Sequence, residues 1–108
     1  MRIQIDIKPL SINRAFKGRR FKTKDYEDYE KEVLLLLPKC DKIKGEVAVY
    51  LEFYLKNAKR IDVDNLEKLL LDIIVKKGYI EDDRKIWILQ ARKFISKVDY
   101  IIIEITKI

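Results

Sequence analysis

Between Asp64 and Gly78, apolar residues recur at Leu66, Leu69, Leu70, Ile73 and Ile74, a spacing that an α-helix turns into one continuous face. Leu71 and Val75 broaden that stripe, so the helix is expected to lie against a sheet. Its ends are marked as clearly as its middle. Asp64 is the expected N-cap, and Glu67 three residues later completes a capping-box pattern. Lys76 and Lys77 suit the negative end of the helix dipole, and Gly78 suits the residue just past the helix.

The partners of this helix follow from other periodicities. Residues 2–8 (RIQIDIK) alternate Ile3, Ile5 and Ile7 with polar neighbours, which is the pattern of a half-buried strand ended by Pro9. Residues 11–23 (SINRAFKGRRFKT) read as a basic loop carrying Phe16 and Phe21. Residues 24–37 read as a second helix, with Tyr26, Tyr29, Val33 and Leu37 at helical spacing and Pro38 closing it. Gly45 opens a strand over 46–54, where Val47, Val49, Leu51 and Phe53 alternate with their neighbours. Residues 85–95 and 98–106 read as two strands joined near Ser96 and Lys97 into a closing hairpin. The expectation is one α+β domain over residues 1–108, a mixed sheet with two main helices in the order β-α-β-α-β-β. The chain has no internal repeat, and its three glycines are too far apart for a phosphate-binding loop.

Composition removes several chemistries. The sequence contains no histidine and a single cysteine, Cys40, so Ser-His-Asp and Cys-His nucleophiles, a histidine base and Cys/His zinc sites are excluded. An enzyme built from this chain works with carboxylates, lysine, tyrosine or an oxygen-bound metal. The 24 Lys and Arg outnumber the 18 Asp and Glu, for a net charge of +6, which favours polyanionic partners or serves solubility alone. No apolar run approaches the ~20 residues that cross a bilayer. The first ten residues also lack a secretory apolar segment, so the expected location is the cytoplasm, away from membranes.

The pattern Asp62-x-Asp64-Asn65-x-x-Lys68 falls where a strand and basic segment hand over to the helix. Two carboxylates one residue apart in extended chain point the same way and can share a hard cation. Lys68, one turn past Asp64, can reach a phosphate oxygen beside them. Asp82 and Asp83 return after the helix and can deliver a third carboxylate, and an all-carboxylate set suits Mg²⁺ or Mn²⁺. The same residues also allow a plainer reading: a cap at Asp64, a solvated Asp62 beside Arg60, a Lys68–Asp72 helical pair and an acidic turn.

Taken together, Pro9-Leu10-Ser11-Ile12-Asn13-Arg14, then Asp62-Val63-Asp64-Asn65-Leu66-Glu67-Lys68, Asp72, Gly78 and Asp82-Asp83 resemble the signature of the RusA family of Holliday junction resolvases in order and spacing. The resemblance spans nearly the whole chain. It implies a homodimeric endonuclease that binds four-way DNA junctions and resolves them by paired symmetric nicks with Mg²⁺ or Mn²⁺, acting in recombination and repair. By position, Asp62, Asp64 and Asp83 match the family's catalytic, metal-holding acids, and Lys68 matches its essential helix lysine. An exposed lysine is protonated near neutral pH, so Lys68 is expected to stabilise the transition state or orient the phosphate rather than act as a base. Asn13 and Arg14 match the N-terminal loop motif, with DNA contact or loop-fixing hydrogen bonds as alternatives. Lys17, Arg19, Arg20, Lys22, Lys59 and Arg60 are expected to track phosphates, the alternative being a solvated basic surface. Phe16, Phe21 and Trp87 are aromatic candidates for stacking on or wedging between bases, or for burial in the core or a dimer interface. Two rivals remain from other classes: a non-catalytic nucleic-acid-binding protein and a small dimeric interaction protein. Neither requires Mg²⁺.

Overall fold

A computed structural model describes residues 1–11, 16–17 and 21–108, with Phe16, Lys17 and Phe21 given as backbone alone. Strands β1 (Arg2–Ile5), β4 (Val47–Leu55), β5 (Ile86–Ile95) and β6 (Tyr100–Lys107) form one sheet in the order β1-β6-β4-β5. Two short strands, β2 (Phe16–Lys17) and β3 (Phe21–Lys22), pair with each other apart from it. Helices α1 (Lys24–Leu36) and α2 (Val63–Lys77) pack on each other and share one core with the sheet.

The inward residues of β4, from Val47 to Leu55 in steps of two, are buried, as are Ile101, Ile103 and Ile105 of β6. Against them lie Leu66, Leu69, Leu70, Ile73 and Ile74 of α2 and Tyr26, Tyr29 and Val33 of α1. Burying one such aliphatic side chain contributes roughly 1.5–3 kcal/mol, whereas a helix cap contributes about 1 kcal/mol. The apolar stripe therefore holds α2 in place, and its first turn is free to carry side chains chosen for other reasons. On the opposite sheet face Tyr54 stacks between Phe94 and Tyr100, with ring centroids 4.9 and 4.4 Å away.

Four sequence expectations need correction, the last being the element order. The closing hairpin does not form: β4 lies between β5 and β6, parallel to the first and antiparallel to the second. The segment Ser96–Asp99 instead carries the chain past the end of β4, where Ser96 N–H donates to Leu55 O at 3.0 Å and Lys56 N–H to Asp99 Oδ1 at 2.9 Å. The cause is composition. The largely apolar β4 takes a central position, and β5, with Gln90, Arg92 and Lys93, takes an edge where charge is tolerated. The β4-α2-β5 segment is consequently a crossover unit joining parallel strands.

The first strand also stops at Ile5 rather than residue 8, although Ile7 remains buried outside the ladder. The third correction concerns α2. Its N-cap is Asp62, not Asp64, and no side-chain capping bond forms there. Val63 packs against the core and extends the Leu66 stripe back by three residues, so the helix begins before the polar pattern suggests. With β2 and β3 added, the element order becomes β-β-β-α-β-α-β-β. Gly78 ends α2 in the left-handed conformation at φ 93°, as the sequence indicates.

Candidate active site

The chain leaves β4 at Leu55, makes a 3-10 turn at Ala58–Arg60 and enters α2. Arg60 N–H donates to Asn57 O at 3.0 Å, and Asn65 N–H donates to Asp62 O at 3.1 Å, so backbone bonds fix both sides of this junction. Asp62 and Asp64 are exposed, in the cap and first turn of α2. Among the described residues neither side chain accepts a hydrogen bond or joins an ion pair. Two uncommitted carboxylates at a helix N-terminus are favourably placed in the dipole field and open to a ligand. Burial, and then the charge of Asp64, raises the carboxyl of nearby Glu67 above its ordinary range.

At the other end of the crossover the three consecutive acids have different duties. Glu81 accepts from Gly45 N–H at 2.6 Å. Asp82 caps a second 3-10 turn, Asp83–Lys85, by accepting from Arg84 N–H at 2.7 Å, and the Arg84 guanidinium grips both of its oxygens at 3.3 and 3.1 Å. Those bonds from the Arg84 side chain and backbone hold the Asp82 carboxyl below the usual range. Asp83 is exposed and, among the described residues, its side chain has neither a hydrogen bond nor an ion pair. Of the acidic triplet, it alone is left for chemistry.

Asp64, Lys68 and Asp72 follow one another at intervals of four along α2, hence along one side of the helix. Burial raises the Asp72 carboxyl, Lys68 pulls it back, Asp83 raises it further and Lys22 opposes that rise. Lys68, Asp72, Asp83 and Lys22 thus share one electrostatic neighbourhood. Eight residues of helix separate Asp64 from Asp72 by about 12 Å along the axis, so the acids form a strip beside α2. Among the described residues, no three His, Cys, Asp or Glu side chains converge closely enough to hold a metal ion. In kind, however, the donors fit a hard divalent cation: Asp62, Asp64 and Asp83 are exposed oxygen donors without competing partners.

Lys59 and Arg60 are exposed in the turn just before Asp62, where Lys56, Asn57 and Ile95 complete a shallow groove. Lys22 is engaged within the chain, 3.4 Å from Glu30 Oε2 and with its ammonium 4.8 Å from the centre of the Tyr26 ring. The expectations for Asn13, Arg14, Arg19 and Arg20, and for the side chains of Lys17, Phe16 and Phe21, lie outside the described residues. Trp87 is 68% exposed on edge strand β5, so it is not part of this chain's core. Asp72, part of the signature motif, joins Lys68 on the helix as its four-residue spacing indicates. Lys93 escaped the sequence reading, and its signal is a charge at a strand position that otherwise calls for an apolar residue.

Comparison with known proteins adds an independent finding. The family model for endodeoxyribonuclease RusA matches residues 8–106. No curated protein sequence matches the chain. The match covers the basic N-terminal segment, both acidic junctions, strands β4 and β5 and all but the last residue of β6, and on that basis the chain belongs to the RusA family of endodeoxyribonucleases.

Proposed function

We propose that this protein is a metal-dependent endonuclease that binds four-way DNA junctions and resolves them by paired symmetric nicks. The observation that carries the reading is the selective freedom of Asp62, Asp64 and Asp83. Their acidic neighbour Asp82 is spent on a cap and Glu81 on a backbone amide, while the side chains of these three carry no hydrogen bond or ion pair among the described residues. Carboxylates without partners repel one another and DNA, and an opposite charge offsets that cost. Asp62, Asp64 and Asp83 would hold Mg²⁺ or Mn²⁺, which supplies an activated water and charge stabilisation at the phosphate when bound.

The remaining work falls to the chain itself. Lys68, between Asp64 and Asp72 on the helix, places its ammonium against a non-bridging phosphate oxygen and stabilises charge developing in the transition state. Lys59 and Arg60 hold the backbone of the incoming strand beside the carboxylates. Pairing of two nicks calls for two sites, hence a homodimer, and the support for one lies on β5. That edge strand exposes Trp87, Ile88 and Leu89, an apolar run suited to a second copy. Sedimentation over a range of concentrations tests this step: a monomer throughout contradicts it, whereas a dimer that Trp87→Lys dissociates supports it. Action within the cytoplasm, on recombining or repaired DNA, belongs to the same proposal.

The nuclease reading is tested by incubating the protein with a synthetic four-way junction and with linear duplex, each with and without Mg²⁺. Symmetric cuts in the junction alone, and only with metal, are expected. Binding without cutting under every metal condition would instead favour a non-catalytic DNA-binding protein.

A further inference from the structure

The backbone just before the carboxylate pair at the head of α2 accepts two hydrogen bonds from a side chain of β5. Lys93 lies two residues from the end of β5, opposite Phe53 of β4, and thus shares the inward parity of a fully buried aromatic. Its neighbours at that parity, Leu89, Ala91 and Ile95, are apolar, which makes a lysine there unusual. The ammonium rises to the segment between β4 and α2 and donates to Ala58 O at 2.6 Å and to Ile61 O at 2.7 Å. Both bonds are short and charge-assisted, the class of hydrogen bond that fixes geometry most firmly.

The position of the second acceptor gives these bonds their significance. Ile61 O belongs to the peptide group whose nitrogen is that of Asp62, so Lys93 grips the backbone one atom away from the first candidate ligand. Ala58 O anchors the other end of the same segment, at a residue that is itself buried. The Asp62 side chain makes no capping bond that could fix its own backbone, and the junction depends on main-chain contacts such as these. A lysine committed to two carbonyls also has little capacity left for a DNA phosphate, unlike Lys59 and Arg60 on the same segment.

We propose that Lys93 is a positioning residue: it clamps the 58–61 segment so that Asp62 and Asp64 are presented to a divalent cation at a fixed spacing. The proposal rests on the nuclease reading of the site, and its consequence follows from how supporting groups act at metal centres. Removing such a partner typically weakens metal affinity or activity by about 10–100-fold without touching a ligand.

The test compares wild type with Lys93→Met, Lys93→Gln and Lys93→Arg. Three quantities are measured: amide hydrogen exchange in the metal-free protein, Mn²⁺ affinity, and single-turnover cleavage beside metal-free junction affinity. For Met and Gln, exchange should quicken in the segment 57–65 while the β4 and β6 amides stay protected. Mn²⁺ affinity and the cleavage rate should each fall by about 10–100-fold, with junction affinity little changed. Arg, able to donate to both carbonyls, should recover part of each loss. Unchanged exchange and Mn²⁺ affinity with weaker, less salt-dependent junction binding would overturn the proposal and make Lys93 a phosphate contact. Should Met and Gln both fail to fold, Arg is compared with wild type: quicker exchange in 57–65 with a matching fall in Mn²⁺ affinity supports the clamp, and exchange and Mn²⁺ affinity that do not change together, or do not change at all, overturn it. A wild-type chain that neither binds Mn²⁺ nor cuts junctions sinks the nuclease reading instead, and the exchange data still judge the clamp.

Discussion

At the scale of single residues, the useful distinction is between acids that are occupied and acids that are free. Glu81, Asp82 and Asp83 are consecutive and chemically alike, yet the first two are bound to Gly45 and Arg84. Asp83→Asn should therefore abolish Mg²⁺-dependent cleavage, by about 100-fold or more given the usual weight of such groups, while leaving the thermal midpoint unchanged. Asp82→Asn should do the reverse, lowering the midpoint as the second 3-10 turn loosens and retaining measurable cleavage. Paired melting and cleavage measurements check both; equal loss of activity in the two variants would contradict the division. Spacing alone could not separate these residues, because which acid caps a turn depends on where the turn begins. The same limit applies at Asp62 and Asp64. The polar pattern puts the cap at Asp64, but Val63 finds a place in the core and draws the helix start back to Asp62.

At the scale of elements, Glu30 of α1 ties two others together by accepting from Lys76 of α2 at 2.5 Å and from Lys22 of β3 at 3.4 Å. The bond from Lys76 is the main cause of its lowered pKa, burial opposes it and Lys22 adds to it. A carboxyl depressed in the folded state stabilises above its unfolded value of 4.5 and loses that contribution as pH falls through the lower folded value. Glu30→Gln should accordingly cost about 0.5–1 kcal/mol near pH 7, a modest figure because both lysines are half exposed. The penalty should vanish in acid, and denaturant melts at pH 7 and pH 3 test it: an equal penalty at both would contradict the account. Elements with a strong single period were legible in the sequence, as α1, α2 and β4 show. What was not legible was pairing. Residues 85–95 and 98–106 have the spacing of a hairpin, but pairing is settled by which strand most needs two neighbours, and β4 wins that competition.

At the scale of the whole molecule, the crossover β4-α2-β5 determines what the site can be. It places Asp62 and Asp64 where the chain leaves the sheet and Asp83 where it returns, with Lys68 and Asp72 on the helix between. The net charge of +6 supplies attraction to DNA, and the exposed Lys59 and Arg60 place part of it next to the acids. Family membership was readable from residue order. The strip-like arrangement of the acids was not, because it depends on how far α2 carries the chain before Asp83 returns. The proposed role of Asp62, Asp64 and Asp83 is to hold the one or two divalent ions of the site. Anomalous diffraction from crystals grown with Mn²⁺ tests it most directly. Mn²⁺ density bonded to side-chain oxygens of Asp62, Asp64 and Asp83 is expected, weakened or lost in Asp83→Asn crystals. A peak elsewhere on the chain, unaffected by that substitution, would contradict it.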